Sequence, residues 1–377
     1  MMHSFFQSGR MMAIVERDLR KFFRSPALMM AAMVFPLVQL IVLGNAFGGK
    51  IRDAKLGIVS HDTGPQAIRV IEALRAVESN ARTFQPIVYN DEKDMVAAVR
   101  RGDLNAGLVI PPQFSRDVYA HARPEIGLVL DNTDNFMTST FEDEMTQLVD
   151  ALNQPDVEPR VVQQTALQVV ELYPYVEYMK YLLPGSITLA MFVSVMIGGG
   201  IVYIDDKARG VHEGYLVTPI TKMELVAGLN VAGALKAMGA GIVLTVIGSL
   251  IAGVGTTFQP VNFIELFLLI TCTSFAFIAM MFLMMVRVND PLIPRAIFGI
   301  LNTLLYFPSG AIYPIQAFPK WLQSIAWIDP FSYSVHGFKA VLLKGVGLSA
   351  IWPDLLYLSG FAILTFILST ALFKRTL

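Results

Sequence analysis

The groups in this chain that could do chemistry are few. Gly44-Asn45-Ala46-Phe47-Gly48-Gly49-Lys50-Ile51 reads G-x-x-x-x-G-K-I. A phosphate-binding loop needs a hydroxyl at the last position to hold Mg²⁺, and a strand before the first glycine. Here the hydroxyl is replaced by Ile51 and an apolar helix leads in, so the glycines are expected to form a flexible exit from that helix. The single cysteine, Cys272, excludes intrachain disulfides and thiolate zinc sites. The five histidines lack the H-E-x-x-H spacing of a zinc protease, and no G-x-S-x-G elbow is present. His212 and His336 stand in separate loops and read as structural or interfacial residues. The acidic group Asp131, Asp134, Glu142, Asp143 and Glu144 lacks the spacing of a calcium loop. It reads as a strand end followed by a negatively charged helix start. No catalytic residue, metal site or cofactor site is expected in this chain.

One charge within an apolar run stands out instead. Lys236 lies about three turns into an apolar run, where an isolated charge costs about 2.5–3.5 kcal/mol on insertion scales. It either snorkels to the headgroups or faces a transport path, meeting an anionic group or a polar partner on another helix. The second reading makes Lys236 a path candidate.

The elements that would position these residues follow from composition. Of 377 residues, 54% are hydrophobic and 16% charged, and the mean hydropathy is +0.54. Soluble domains carry about 25% charged residues, so this balance indicates a polytopic α-helical membrane protein. A net charge of −1 leaves no basic excess for binding nucleic acid.

A bilayer-spanning helix needs about 20 mostly apolar residues. Six runs qualify: Pro26 to Phe47, Tyr178 to Ile204, Leu225 to Val254, Phe263 to Val286, Ala296 to Tyr313 and Leu355 to Phe373. The short flanking segments on one side hold the basic residues Arg10, Arg17, Arg20, Lys21, Arg24, Lys207, Arg209, Lys222, Arg287, Arg295, Lys374 and Arg375. The opposite loop, Gly255 to Asn262, has no charge. By the positive-inside rule both termini are cytoplasmic. Ala46-Phe47-Gly48 resembles a signal cleavage site, but the preceding apolar run exceeds a signal peptide's, so the first span is expected to stay. Before it, Met12, Val15, Leu19 and Phe22 recur at helical spacing among basic residues. That pattern predicts an interfacial helix with its aliphatic face in lipid.

The domain division is then an amphipathic helix over 1–25, a first transmembrane helix over 26–48, an extracytoplasmic α/β domain over 50–177, and transmembrane helices 2–6 over 178–377. The α/β domain rests on four strand-like runs, Leu56 to Val59, Pro86 to Tyr89, Ala106 to Ile110 and Ile126 to Leu130. Helical patterns at Ala67 to Leu74, Met95 to Val99 and Phe114 to Ala120 separate them, which predicts a largely parallel sheet. Longer helices are expected at Phe136 to Leu152 and Arg160 to Leu172.

Two segments remain. The cytoplasmic loop 205–224 contains Thr218-Pro219, which ends one short helix, and Thr221 with Glu224 in capping-box register, which starts the next. The aromatic- and proline-rich segment 309–345 is too interrupted to span and too apolar for a free loop. Its prolines predict that the chain leaves the fifth span near Tyr313 and dips back as short helices anchored by Trp321 and Trp327.

Together these segments resemble the permease subunit of a type-2 ABC exporter, in the subclass with a large extracytoplasmic domain after the first transmembrane helix. The family loop, roughly E-R-G-T-L-E-x-L-x-x-T-P-x-x-x-x-E-L-L-x-G, is matched by Arg209-Gly210, Glu213, Leu216, Thr218-Pro219, Glu224-Leu225 and Gly228. Val211, His212 and Leu229 depart from it. The family's S-G-x-x-x-P…P-x-W-L…P-x-x-Y stretch is matched by Ser309-Gly310, Pro314, Pro319, Trp321-Leu322, Pro330 and Tyr333.

The resemblance implies an ATP-driven exporter of an amphipathic drug, lipid, glycan or peptide in the bacterial inner membrane. ATP and Mg would be bound by a separate cytoplasmic ABC ATPase, and a second permease subunit would pair with this one around a path. The architecture also leaves room for a periplasmic adaptor. Arg209, Gly210, Glu213, Leu216, Thr218, Pro219 and Glu224 would couple to the ATPase. Ser309, Gly310, Pro314, Pro319, Trp321, Pro330 and Tyr333 would form an outer gate. The alternative is a membrane-anchored sensor whose α/β domain binds a ligand.

Overall fold

The N-terminal amphipathic segment forms helix α1 (Ser8–Phe23) in a computed structural model that describes residues 8–48, 54–80, 84–120, 122, 124–130, 135–153, 176–216, 218–288, 290 and 292–373. Part of its expected apolar stripe packs on protein. Ile14, Val15 and Phe22 are buried with Asp18 against the long helix Lys222–Ala252, whereas Met12 and Phe23 are exposed. Of the expected stripe, Val15 and Phe22 are buried and Leu19 half-buried, and Asp18 joins them in place of Met12. Helix α2 (Pro26–Gly48) follows and carries Pro36 inside it. Gly44 and Gly48 belong to this helix, so the expected flexible exit does not begin there; Gly44 sits beside Met179.

The chain forms two compact units, Gly49–Val170 and the rest. The first alternates β1 (Ala54–Ser60), α3 (Pro65–Asn80), β2 (Phe84–Val88), α4 (Glu92–Arg100), β3 (Ala106–Ile110), α5 (Phe114–Tyr119), β4 (Gly127–Leu130) and α6 (Asn135–Asn153). The sheet order is β2-β1-β3-β4. β1 pairs in parallel with β2 and β3, and β4 closes the sheet antiparallel to β3. Central β1 is apolar because both its faces are covered: Leu56, Ile58 and Val59 are all buried. Phe84 of β2 stacks on Phe141 of α6 with centroids 4.8 Å apart. Asp62 ties two helix starts together. Its carboxylate accepts the Gly64 amide at 3.0 Å and the Ser115 amide at 2.6 Å, while Ser115 Oγ accepts the first amides of α3. These bonds, from Ser115 foremost, hold the Asp62 carboxyl below its ordinary range. The helix expected at Arg160 to Leu172, and Asp131 and Asp134, lie outside the described residues; Glu142 and Asp143 are exposed on α6.

The second unit is helical. α7 (Tyr178–Val195) continues through a π-helical turn, Met196–Ile201, into α8 (Val202–Ala208). From Leu182 to Val195 every side chain of α7 is buried, as expected of a helix apolar on all faces. The helices α9 (Val211–Leu216), α10 (Lys222–Ala252) and α11 (Pro260–Met285) come next. α12 (Leu292–Leu301) ends in a π turn, Asn302–Tyr306. Then come α13 (Lys320–Ala326), α14 (Pro330–Lys339) with a further π turn to Lys344, and α15 (Leu348–Leu372).

Among the described residues, five helices are long and apolar enough to cross a membrane: Pro26–Ala46, Tyr178–Ala208, Lys222–Ala252, Pro260–Met285 and Leu348–Leu372. The fifth expected span is represented by the shorter apolar helix Leu292–Tyr306. It stops at Tyr306 rather than near Tyr313, because Pro308 removes an amide donor and Ser309–Gly310 turns the chain.

Candidate functional site

Two clusters gather the residues singled out in the sequence. The first surrounds the loop between α8 and α10. Arg209 is exposed at the C-cap of α8, and Gly210 turns the chain with φ +73° into α9. Glu213 and Leu216 lie on the backbone of α9; their side chains fall outside the described residues. Thr218 Oγ1 donates to the Tyr215 carbonyl at 2.8 Å. The expected capping box is present: Glu224 N donates to Thr221 Oγ1 at 3.2 Å, and Thr221 N to Glu224 Oε2 at 2.7 Å. Glu224 is fully buried.

α1 grips this loop from outside it. Arg10 Nη1 donates to the Pro219 carbonyl at 2.7 Å. Arg17 bonds Asp206 Oδ2 at 3.0 Å and also donates to the Tyr215 hydroxyl, with its guanidinium 5.4 Å from that ring's centroid. Lys21 pairs with the other oxygen of Asp206. Burial works against the Arg17 charge, but Tyr215, Asp206 and Asp18 outweigh it and hold its pKa above the ordinary value.

Lys236 completes the cluster from α10. Its side chain is fully buried and forms an ion pair with Asp18. Its ammonium also donates to the Gly198 carbonyl in the π turn at 2.6 Å and lies 5.5 Å from the Phe22 centroid. A Cβ on Gly198 would come within 2.9 Å of the Lys236 chain, so this approach needs glycine. Of the expected alternatives, the structure supplies the polar partner on another helix. Asp18, Asp206 and Tyr215 were not singled out as site residues in the sequence. A signal was present: an acid in the apolar stripe of an amphipathic helix, and a base in an apolar span, are each costly alone and complementary together.

The second cluster lies around the segment 309–345. Ser309 is buried, with Oγ donating to the Tyr306 carbonyl at 2.7 Å, and Gly310 turns the chain with φ +84°. The Gly310 carbonyl accepts the Lys339 ammonium at 2.6 Å and the Tyr181 hydroxyl at 3.4 Å, and the same ammonium sits 3.5 Å from the Tyr181 centroid. Tyr178 donates to the Ile312 carbonyl at 3.2 Å. Exposed Pro314 precedes the short turn Ile315–Ala317, and Pro319 caps α13.

Trp321 and Trp327 are 65% and 72% exposed, and α13 is tied to the preceding turn by Gln323, which donates to the Phe318 carbonyl at 2.7 Å. Asp329 caps α14 by accepting the Phe331 amide at 2.9 Å, with Pro330 at its first turn. Phe331 then drives α14 into the core, 4.8 Å from Phe277 and 5.0 Å from Phe192. Tyr333 stacks on Tyr357 of α15 at 3.7 Å and donates to the Trp327 carbonyl at 2.9 Å. His336 Nδ1 lies 2.8 Å from Asp354 Oδ2. That hydrogen bond, against the opposing effects of burial, Lys339 and Lys344, raises the His336 pKa. The sequence pointed to Tyr333 but not to Lys339, His336 or Asp354 as contributors here.

The arrangement is that of an apolar helical unit with a charged, ion-paired end and an aromatic, main-chain-tied segment elsewhere. Comparison with known proteins gives it a class: residues 26–371 match the model of the ABC-2 family transporter proteins, and the chain belongs to that family. It is a multi-pass membrane permease. It is 21% identical over 376 residues to the probable multidrug ABC transporter permease YbhR of Escherichia coli K12, covering 97% of this chain and 98% of that one. To the inner membrane transport permease YhhJ of the same strain it is 23% identical over 380 residues, covering 96% of each. ABC transporter G family member 20 of Dictyostelium discoideum is 24% identical over 380 residues, covering 96% of this chain. This chain spans 50% of the length of that relative.

Proposed function

We propose that the chain is the transmembrane subunit of an ATP-driven exporter in the bacterial inner membrane, moving an amphipathic compound out of the cytoplasm or inner leaflet. In this reading it crosses six times, with Leu292–Tyr306 as the fifth crossing, and both termini are cytoplasmic. The unit 49–170 is then extracytoplasmic. A separate ABC ATPase binds ATP and Mg, and a second permease subunit completes the path.

The observation that carries this reading is the double tie of α1 to the α8–α10 loop. Arg10 holds the Pro219 carbonyl, and Arg17 holds Asp206 and Tyr215. A short helix held on one side by α1, and followed directly by the capped start of α10, moves as part of the bundle rather than as a loose loop. A push from an ATPase on Gly210–Pro219 therefore reaches α10, and through Lys236 and Gly198 the π turn that joins α7 to α8. Arg209, Gly210, Glu213, Leu216, Thr218, Pro219 and Glu224 form the coupling element in this reading, and Ser309 through Tyr333 the outer gate.

The test is reconstitution with a co-encoded ABC ATPase in lipid. Glu213→Arg should lower the coupled ATPase rate and dye efflux while leaving membrane insertion unchanged. Unchanged efflux together with unchanged ATPase association would overturn the coupling assignment.

A further inference from the structure

A cavity of about 420 Å³ opens between α13, α14 and α15, within the range of small-molecule pockets. Its lining includes Trp327, Tyr333, Ser332, His336 and Asp354. Three features point to one kind of ligand. The Asp354 side chain is 6% exposed, and its carboxylate is held by the His336 ring, which is itself 63% exposed. The Tyr333 ring is held in place, stacked on Tyr357 and bonded through its hydroxyl to the Trp327 carbonyl, with the exposed Trp327 ring beside it. Ser332 is 6% exposed, and its Oγ finds no hydrogen-bond partner among the described residues.

We infer that this cavity binds a hydrophobic organic monocation, with Asp354 as counter-charge and Trp327 and Tyr333 as its aromatic walls. Cations of this type are attracted by ring faces and lose little on leaving water, unlike compact ammonium ions. A metal ion is disfavoured by the donor set: among the described residues, no group of three or more His, Cys, Asp or Glu could hold one. An anion would meet the Asp354 carboxylate, and the Lys339 ammonium of α14 is engaged by Gly310 and Tyr181.

His336 tunes the site. Protonated, it neutralises Asp354; neutral, it leaves the carboxylate for the ligand. The charged groups acting on His336 are Asp354 of α15 and, along its own helix and the turn after it, Lys339 and Lys344. Binding therefore tightens as pH rises through the His336 pKa.

The experiment uses the full chain in lipid nanodiscs without an ATPase, so its outcome does not depend on the coupling assignment. The chain has three tryptophans. With Trp321→Phe and Trp352→Phe, Trp327 becomes the sole emitter and reports the cavity directly. Benzyltrimethylammonium should quench it saturably, and the neutral isostere neopentylbenzene should not at the same concentration. Asp354→Asn should weaken the cation by about tenfold or more, and Asp354→Glu should restore part of the loss. Equal quenching by the neutral isostere, or unchanged affinity in Asp354→Asn, overturns the proposal. Should Asp354→Asn fail to accumulate, the cation and isostere comparison on Asp354-containing protein decides alone.

Discussion

The charged end of the helical unit and the segment 309–345 solve the same problem by opposite means. Each must hold a short, interrupted stretch of chain against long apolar helices. At the α1 end the ties are side-chain charges: Lys236 with Asp18, and Arg17 and Lys21 with Asp206. In the segment 309–345 most are main-chain carbonyls and rings, beside the half-exposed His336–Asp354 pair: Gly310 with Lys339 and Tyr181, Ile312 with Tyr178, and Phe331 among Phe277 and Phe192. A buried ion pair tolerates little displacement, because separating its charges leaves each unpaired in a low dielectric. The ring contacts and the Ile312 carbonyl bond carry no net charge to strand, so a shift there costs packing and one neutral hydrogen bond. The first design suits a rigid transmitter and the second a part that moves.

Mutations at the two ends should therefore differ in size. Lys236→Met strands Asp18 in the core and should cost about 3–5 kcal/mol of stability, read as a lowered thermal midpoint in lipid. Adding Asp18→Leu should return much of that loss, since an apolar pair of similar volume replaces a buried ion pair at little cost. If the single and double variants melt alike, the pair is not the origin of the effect. Phe331→Ala should be somewhat milder, about 3 kcal/mol, from the cavity left among the rings. It should also raise proteolysis within 309–345 more than elsewhere.

Much of this contrast could be read in advance. The capping box at Thr221 and Glu224 follows from local chemistry and its spacing announced it. The prolines after the fifth apolar segment announced one or two short helices, of which the structure has α13 and α14. The strands around Leu56, Ile87, Leu108 and Leu128 were likewise visible as apolar runs. The side of α1 that is buried was not, because periodicity gives a stripe but not its partner. The Asp18–Lys236 pair, 218 positions apart, is one of the contacts that hold that stripe against α10. The early end at Tyr306 of the apolar helix Leu292–Tyr306 was missed because the apolar run continues to Tyr313 past the helix-breaking residues. Pro308 and the Ser309–Gly310 turn stop the helix earlier than the apolar run suggests, and the Tyr306 hydroxyl there accepts a long-range bond from Gln39 Nε2 at 2.9 Å.

Smaller effects sharpen the comparison further. Thr221→Ala removes one half of the capping box and should cost about 1 kcal/mol, with hydrogen exchange rising in the first turn of α10 only. His336 gives the weakest and most reversible handle. Its pKa is raised by Asp354, so its contribution is fully present below the ordinary His value of 6.5 and is lost as pH rises through the raised one. The thermal midpoint should fall slightly over that window, and His336→Gln should flatten the dependence. The His336 ring is largely exposed, so a large pH effect there would point to another group.

The central claim is that the rigid charged end transmits the nucleotide state to the more yielding segment 309–345. Ile312 is half-buried and offers a reporter in that segment, whereas neighbouring Ala311 is fully buried against Gly185 and would be disturbed by substitution. With Cys272→Ala and Ile312→Cys, the chain reconstituted with its ATPase can be labelled by an impermeant thiol reagent, with and without vanadate-trapped nucleotide. The account predicts that trapping changes the labelling rate severalfold, and that Asp206→Asn, which releases Arg17 and Lys21, abolishes the change. Equal labelling in both nucleotide states would contradict it, as would a nucleotide response untouched by Asp206→Asn.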